Sequence, residues 1–313
     1  MALHLSIKAP TMIEIKSSGN KRKIRSRFIR SKKNLPSIRL TARDFEILQA
    51  LADYRLLSTF QVKRLFFRSI HKTRKRLFKL WQHGFVDRRF QPVKLGQGNI
   101  PILYTLSRQG ARMLARQGGV TKEARYDAIL KRQGSFLFIE HTLAISEFRI
   151  NLVKACEISP DSKLLFWKQG KEIKSRVSFI DGSSNRRLVT VSILPDAYFG
   201  LQKGKVTQHC YFEMDRGSTT IGKIANKLKA YHALWLQHGR NHKTSCGEFK
   251  VIIVTSSCQR MKNIMEAARH CFNTVNSRGI FIFAHDRRIL THPNFGSNDG
   301  TWSSCEGNKI PII

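Results

Sequence analysis

Two apolar, strand-like runs that end in carboxylates limit the fold most. Leu188–Phe199 reads LVTVSILPDAYF and Val206–Asp215 reads VTQHCYFEMD. A short connection separates them, so they read as neighbouring strands of a hairpin. Side chains two apart on a strand face the same way, which puts Glu213 and Asp215 on one face. With Asp196 on the adjacent strand, three carboxylates would meet at one sheet edge. Like charges packed this way repel unless a cation or protons compensate.

Acids are scarce enough for this clustering to need a cause. The chain has 56 Lys+Arg against 21 Asp+Glu and a net charge of +35 in 313 residues. Such an excess implies a polyanionic partner, nucleic acid first and an anionic membrane surface second. A divalent cation beside a phosphodiester is the candidate that answers both facts. Mg²⁺ or Mn²⁺ prefers hard oxygen ligands, and the surrounding positive charge suits DNA. Glu147, on a preceding amphipathic helix, is a candidate fourth oxygen donor. The metal set is therefore Glu147, Asp196, Glu213 and Asp215.

The basic excess is steepest in the first part of the chain. From Lys16 to Arg39 there are ten Lys/Arg and no acid, so residues 1–38 read as a flexible basic arm. Residues 39–120 read as a domain with clear punctuation. Thr41 with Asp44, and Ser58 with Gln61, are capping-box-like helix starts. A third helix is expected over Ser69–His83, closed by Gly84, with Leu77, Leu80 and Trp81 inward. Its other face carries His71, Lys72, Arg74, Lys75, Arg76 and Lys79. Two short strands, Phe85–Pro92 and Ile100–Leu106, flank a loop holding Lys94, and a helix over Ser107–Gln117 closes the segment. Three helices, a β-ribbon and a closing helix make a winged helix-turn-helix. The cationic third helix is suited to the major groove, with Arg88, Arg89 and Lys94 of the wing on phosphate or the minor groove. An ordinary basic surface helix in a protein–protein module is the plainer alternative.

Residues 121–290 alternate differently. A helix near His141–Cys156 precedes strands at Leu164–Trp167 and Ser175–Ile180, then the two acid-bearing runs. A helix over Thr219–Leu236, a strand Phe249–Thr255, a helix Gln259–Cys271 and a strand Ile280–Ala284 follow. This is an αβββαβ core with an added helix and strand. Residues 291–313, rich in Gly, Ser and Asn, read as a loose tail.

Pro195-Asp196, a spacer of sixteen residues and Glu213 on the next strand resemble the restriction-endonuclease-like PD-(D/E)xK nucleases. That resemblance implies a metal-dependent endonuclease, a nickase, with Asp196, Glu213 and Asp215 at its centre. One position departs from the pattern: Asp215 stands where those nucleases place lysine. Lys223 or Lys227, on the following helix, could supply the amine instead. A degenerate nuclease fold that binds without cutting is the competing reading, with its acids bonded to the Arg216-Gly217-Ser218 turn.

Together the halves resemble the replication-relaxation family of bacterial plasmids and mobile elements. The matching stretches are Leu40–Leu48, Leu77–Val86, Tyr104–Ala111, Pro195–Ala197, Phe212–Ser218 and Lys227–Tyr231. The resemblance implies a role in plasmid replication or DNA relaxation. It points to double-stranded DNA and replication proteins as partners, and to a bacterial cytoplasmic setting. It leaves a homodimer, and a non-catalytic initiator or transcriptional regulator, as open options.

Other chemistries fit less well. Six cysteines without a CxxC pair read as free thiols. His232, His238, His242 and Cys246 lack the paired close ligands of a zinc site. No His-x-His cradle accompanies Tyr198, Tyr211 or Tyr231, which sit in periodic apolar contexts and read as core residues. No apolar run reaches the roughly 18 residues of a membrane span.

Overall fold

The computed structural model describes residues 29–30, 35, 37–91, 100–117, 136–180, 187–240, 249–285 and 302–312, and its fold is mixed α+β. The first half holds α1 (Ala42–Tyr54), β1 (Leu57–Ser58), α2 (Thr59–Phe66), α3 (Ile70–Gln82), β2 (Val86–Arg89), β3 (Leu103–Leu106) and α4 (Arg108–Arg116). Its helices start where their caps stand. The Asp44 carboxylate accepts the Thr41 backbone N–H at 2.7 Å, and Gln61 accepts that of Ser58 at 2.9 Å. Helix α3 ends at Gly84, whose φ of +77° is left-handed backbone that glycine takes without a Cβ clash. Strand β3 lies between β1 and β2, antiparallel to both. Leu48, Leu51, Leu77, Leu80 and Trp81 fill the core between helices and sheet.

Most of the basic arm and all of the Lys94 loop lie outside the described residues. The arm's end is not loose, however. Arg30 donates to the Trp81 carbonyl at 2.7 Å, the Val86 carbonyl at 2.8 Å and the Asp87 carboxylate at 2.7 Å. Three acceptors and the Trp81 ring, 5.8 Å away, hold this guanidinium against the first half.

The second half holds α5 (Phe136–Ile158), β4 (Ser162–Lys168), β5 (Ser175–Ile180), β6 (Leu188–Ile193), β7 (Ala197–Lys203) and β8 (Val206–Asp215). Then come α6 (Ile221–Arg240), β9 (Phe249–Thr255), α7 (Cys258–Cys271), α8 (Val275–Arg278) and β10 (Phe281–His285). One five-stranded sheet runs β10-β9-β8-β7-β4, with β8, β9 and β10 parallel and β7 antiparallel to both neighbours. Helix α5 covers one face, where Phe148 stacks on Phe212 at 4.0 Å. Helices α6 and α7 cover the other, over Tyr211, Val251, Ile253, Phe281 and Phe283.

Two expectations need correction. The Leu188–Phe199 run is not one strand, because β5 and β6 form a separate antiparallel ribbon packed on α6. The break falls at Leu194-Pro195, where proline has no N–H for a ladder and restricts the residue before it. The chain rejoins the main sheet at Asp196, whose N–H donates to the Phe212 carbonyl at 3.1 Å. Nor is residues 302–312 a loose tail. Trp302 and Ile312 are buried in the α5 core, and Ser303 bridges to Phe283. Burial of Trp302, Cys305 and Ile312, together with the bridge from Ser303, anchors the segment.

The halves touch through α2 and α5. Gln61 donates to the Leu143 carbonyl and to Glu147, and Ile150 of α5 enters the first-half core. Among the described residues no helix is long and apolar enough to cross a membrane.

Candidate active site and DNA interface

The C-terminal end of β8 opens into a cleft of about 430 Å³ between α5 and the start of α6. Asp196, Glu213 and Asp215 line it, together with Glu140, His141, Arg216, Lys223, Lys227 and Tyr231. The hairpin register explains the meeting of Asp196 and Glu213. Ala197 sits opposite Phe212, so Asp196 lies level with Glu213, and its carboxylate accepts the Met214 N–H at 2.8 Å.

Among the described acids, Glu213 is the most perturbed. It is 8% exposed, and burial pushes its pKa up to about 7; the Lys227 ammonium opposes this rise and the Asp196 carboxylate adds to it. Lys227 forms an ion pair with one oxygen of Glu213, and the Tyr231 hydroxyl donates to the other. Lys227 and Tyr231 are four apart on α6 and so project from one helix face. Burial and the adjacent carboxylate both push the Tyr231 phenol well above its ordinary pKa. That phenol therefore stays a proton donor to Glu213. An ammonium thus reaches the cleft from α6, beside the carboxylates that line it.

Asp215 has a different occupation. Arg260 of α7 grips it with Nε at 2.6 Å and Nη2 at 3.0 Å, and the Gly217 N–H donates to it at 3.3 Å. It faces the cleft but is engaged by a guanidinium. Glu147 does not join the acids at all. It faces α2, pairing with Arg64 and accepting from Gln61 at 3.0 Å. The helical period explains this: Glu147 is six residues beyond His141, so it leaves the cleft by a different side of α5.

His141 is one of the cleft residues that sequence reasoning missed. Its Nε2 lies 3.2 Å from the Asp196 carboxylate and 3.1 Å from the Met214 carbonyl, so it carries the proton there. Burial alone would lower its pKa, but Asp196 and the Met214 carbonyl outweigh that and hold it above the ordinary value. A helix start placed at His141 hid the first turn of α5, which brings Glu140 and His141 to the cleft.

Among the described residues no group of three His, Cys, Asp or Glu side chains converges in a form that could hold a metal ion. Two carboxylates reach the cleft beside one another. That donor set suits Mg²⁺ or Mn²⁺, which is commonly held by one or two protein carboxylates with substrate phosphate and water completing the shell. The zinc alternative gains nothing from His232, which bonds to Ser277 at 2.9 Å; His238, His242 and Cys246 have no described side chains.

On α3, His71, Lys72, Arg74, Lys75 and Lys79 are exposed on one side of the helix. Arg76 leaves that set. It pairs with Asp44, which is 1% exposed, and also donates to the Arg39 carbonyl. Arg76 and Thr41 outweigh burial to hold the Asp44 carboxyl below its usual range. Arg88 also turns inward, its guanidinium 4.4 Å from the Trp81 ring, 4.9 Å from Phe78 and 5.6 Å from Tyr104. Its alternation on β2 places it toward the core, where three aromatic faces solvate it in place of water. Arg89, next along β2, is half-buried.

In comparison with known proteins, the family described as replication-relaxation matches residues 48–251. No curated protein matches the sequence. Among solved structures, the chain is similar to the restriction endonuclease FokI at 11% identity and a TM-score of 0.29, over 82% of this chain. It spans 45% of that chain's length.

Proposed function

Because the chain belongs to the replication-relaxation family, we propose that it binds duplex DNA of a plasmid or mobile element and nicks it at the Asp196–Glu213–Lys227 cleft. The observation that carries this reading is the position of Lys227, whose ammonium meets Glu213 in the cleft that Asp196 lines. Two carboxylates and an amine at one sheet edge are the working parts of a PD-(D/E)xK nuclease, here with the amine supplied by a helix. The first half is a winged helix-turn-helix in this reading, with α3 in the major groove and the β2–β3 ribbon as its wing.

Each residue has a physical task. Asp196 and Glu213 would hold a Mg²⁺ or Mn²⁺ ion, which when bound supplies positive charge at the phosphate and lowers the pKa of nearby water. His141 fixes the Asp196 carboxylate through its Nε2–H. Tyr231 fixes the Glu213 carboxylate from the buried side. Lys227 balances charge and orients water. Arg216 and Lys223 line the same cleft and suit the phosphodiester oxygens.

A second reading has its own observation. Each acid already has a partner from the protein: His141 for Asp196, Lys227 for Glu213, Arg260 for Asp215. A closed charge set of this kind suits a non-catalytic initiator or regulator. Supercoiled plasmid incubated with Mn²⁺, with EDTA, and with the Glu213→Ala variant separates the two. Mn²⁺-dependent open circles that vanish in the variant support cutting. Site-specific binding with no open circles under any condition supports the second reading.

A further inference from the structure

The sheet face that carries Glu213 continues toward β4 as a row of aromatic rings that the cutting chemistry does not use. Strand register sets the row. Phe166 lies opposite Gly200, Gly200 opposite His209, Tyr198 opposite Tyr211, and Lys168 opposite Tyr198. Paired residues share a face, and along β8 His209, Tyr211, Glu213 and Asp215 alternate onto one side. Phe166, Tyr198 and His209 therefore stand on the face that bears the cleft. Tyr198 is two residues past Asp196, about 7 Å along the strand.

The rings form a connected strip. Phe166 and Tyr198 have centroids 5.3 Å apart, Phe166 and His209 5.7 Å, and Tyr198 and His209 5.9 Å at 24°. The Tyr198 hydroxyl and His209 Nδ1 are 2.8 Å apart, which ties two of the rings together. Gly200 makes room for the third. A Cβ there would come 2.6 Å from Phe166 Cε1, so the ring lies across the strand where any side chain would displace it.

Packing accounts for one member of the strip only: Tyr198 rests against the core beneath α6 and α7. Phe166 belongs to none of the three apolar cores, whereas its neighbours Leu164 and Trp167 pack against one of them. Phe166, Tyr198 and His209 are all half-buried rather than sealed. Lys168 Nζ stands 5.5 Å over the Phe166 ring, and Lys168, Lys171 and Lys174 are exposed just beyond it with Glu172 as the accompanying acid. Burial lowers the His209 pKa, so its ring is a neutral stacking surface.

We infer that Phe166, Tyr198 and His209 are a stacking platform for unpaired DNA bases, which holds a single-stranded segment alongside the cleft. Aromatic rings on a sheet face with nearby cations bind single strands by base stacking, whereas duplex bases are already stacked on one another. Lys168 and its neighbours would follow the phosphates. The inference rests on the reading of DNA as the substrate and deepens it, since it names a melted or single-stranded region as what the second half receives.

The test uses the full chain in EDTA, so that cutting plays no part. Fluorescence anisotropy would compare a labelled oligo(dT) strand and a labelled duplex of equal length, for wild type, Phe166→Leu, Phe166→Trp and Tyr198→Leu. The inference expects each leucine variant to lose about fivefold or more in single-strand affinity, while duplex affinity changes less than twofold. Phe166→Trp should retain single-strand binding, which separates stacking from misfolding. A strand carrying 2-aminopurine should be quenched by wild type and by Phe166→Trp, and less so by Phe166→Leu. Equal single-strand affinity in all four proteins overturns the inference, as does a loss shared equally by duplex. Such a result leaves Mn²⁺-dependent nicking untouched, and failure of nicking leaves this binding assay untouched.

Discussion

Replacing Glu213 by glutamine should stabilise the protein, and increasingly so as pH rises. Burial moves the Glu213 pKa from the ordinary 4.5 to about 7, even with Lys227 beside it. The folded carboxyl therefore holds its proton more tightly than the unfolded one. Its contribution to stability is fully present below about pH 4.5 and is lost as pH rises through 7. At 1.36 kcal/mol per unit, the ionised side chain costs roughly 3 kcal/mol above pH 7. Glutamine keeps the shape, and its carbonyl can still accept from Tyr231, but its amide would face the Lys227 ammonium. Lys227 is 40% exposed and can turn toward water, so this offsets part of the gain and leaves about 1–3 kcal/mol. Urea unfolding followed by tryptophan fluorescence suits the measurement, because Trp167 and Trp302 pack in the same half of the molecule as Glu213. The difference between variant and wild type should be small at pH 5 and favour the variant at pH 8. A variant less stable than wild type at pH 8, and by more than at pH 5, would mean instead that Lys227 more than repays burial.

Other residues give sharper separations between binding and stability. Lys72→Ala and Lys75→Ala should each weaken duplex binding and reduce the slope of log K against log salt by about 0.9, read by anisotropy at several salt concentrations. Arg88→Ala should leave that slope unchanged and instead lower stability by about 1–3 kcal/mol, because its guanidinium rests on Trp81, Phe78 and Tyr104. Asp44→Ala removes both the reciprocal cap of α1 and the partner of Arg76, so a loss of about 3 kcal/mol is expected in thermal or urea unfolding.

Local chemistry was the part of this fold most plainly written in the chain. Thr41 with Asp44, Ser58 with Gln61, Ser69 and Gly84 set helix ends within a residue or two, because capping depends on neighbours three or four positions away. Asp196 and Glu213 are legible as a pair for the same reason, since one hairpin fixes their register. What escaped notice depends on distant partners. Pro195 looked like part of a strand, yet the ribbon that precedes it docks on α6, a helix more than twenty residues later. Arg88 looked like a surface cation until Phe78, Trp81 and Tyr104 closed around it. Asp215 looked like a third ligand, and only the arrival of α7 brings Arg260 to it. The Lys227–Tyr231 spacing was a visible signal for the cleft-facing side of α6, whereas His141 carried none beyond its place on an apolar helix.

If Lys227 supplies the amine of the cleft, the initial rate of Mn²⁺-dependent nicking of supercoiled plasmid depends on that side chain. Lys227→Met should slow nicking by about a hundredfold or more, with duplex affinity retained. Lys223→Met and Asp215→Asn should nick at rates much nearer wild type. Full-speed nicking by Lys227→Met, or a wild-type protein that binds its DNA and never opens the circle, would contradict the account.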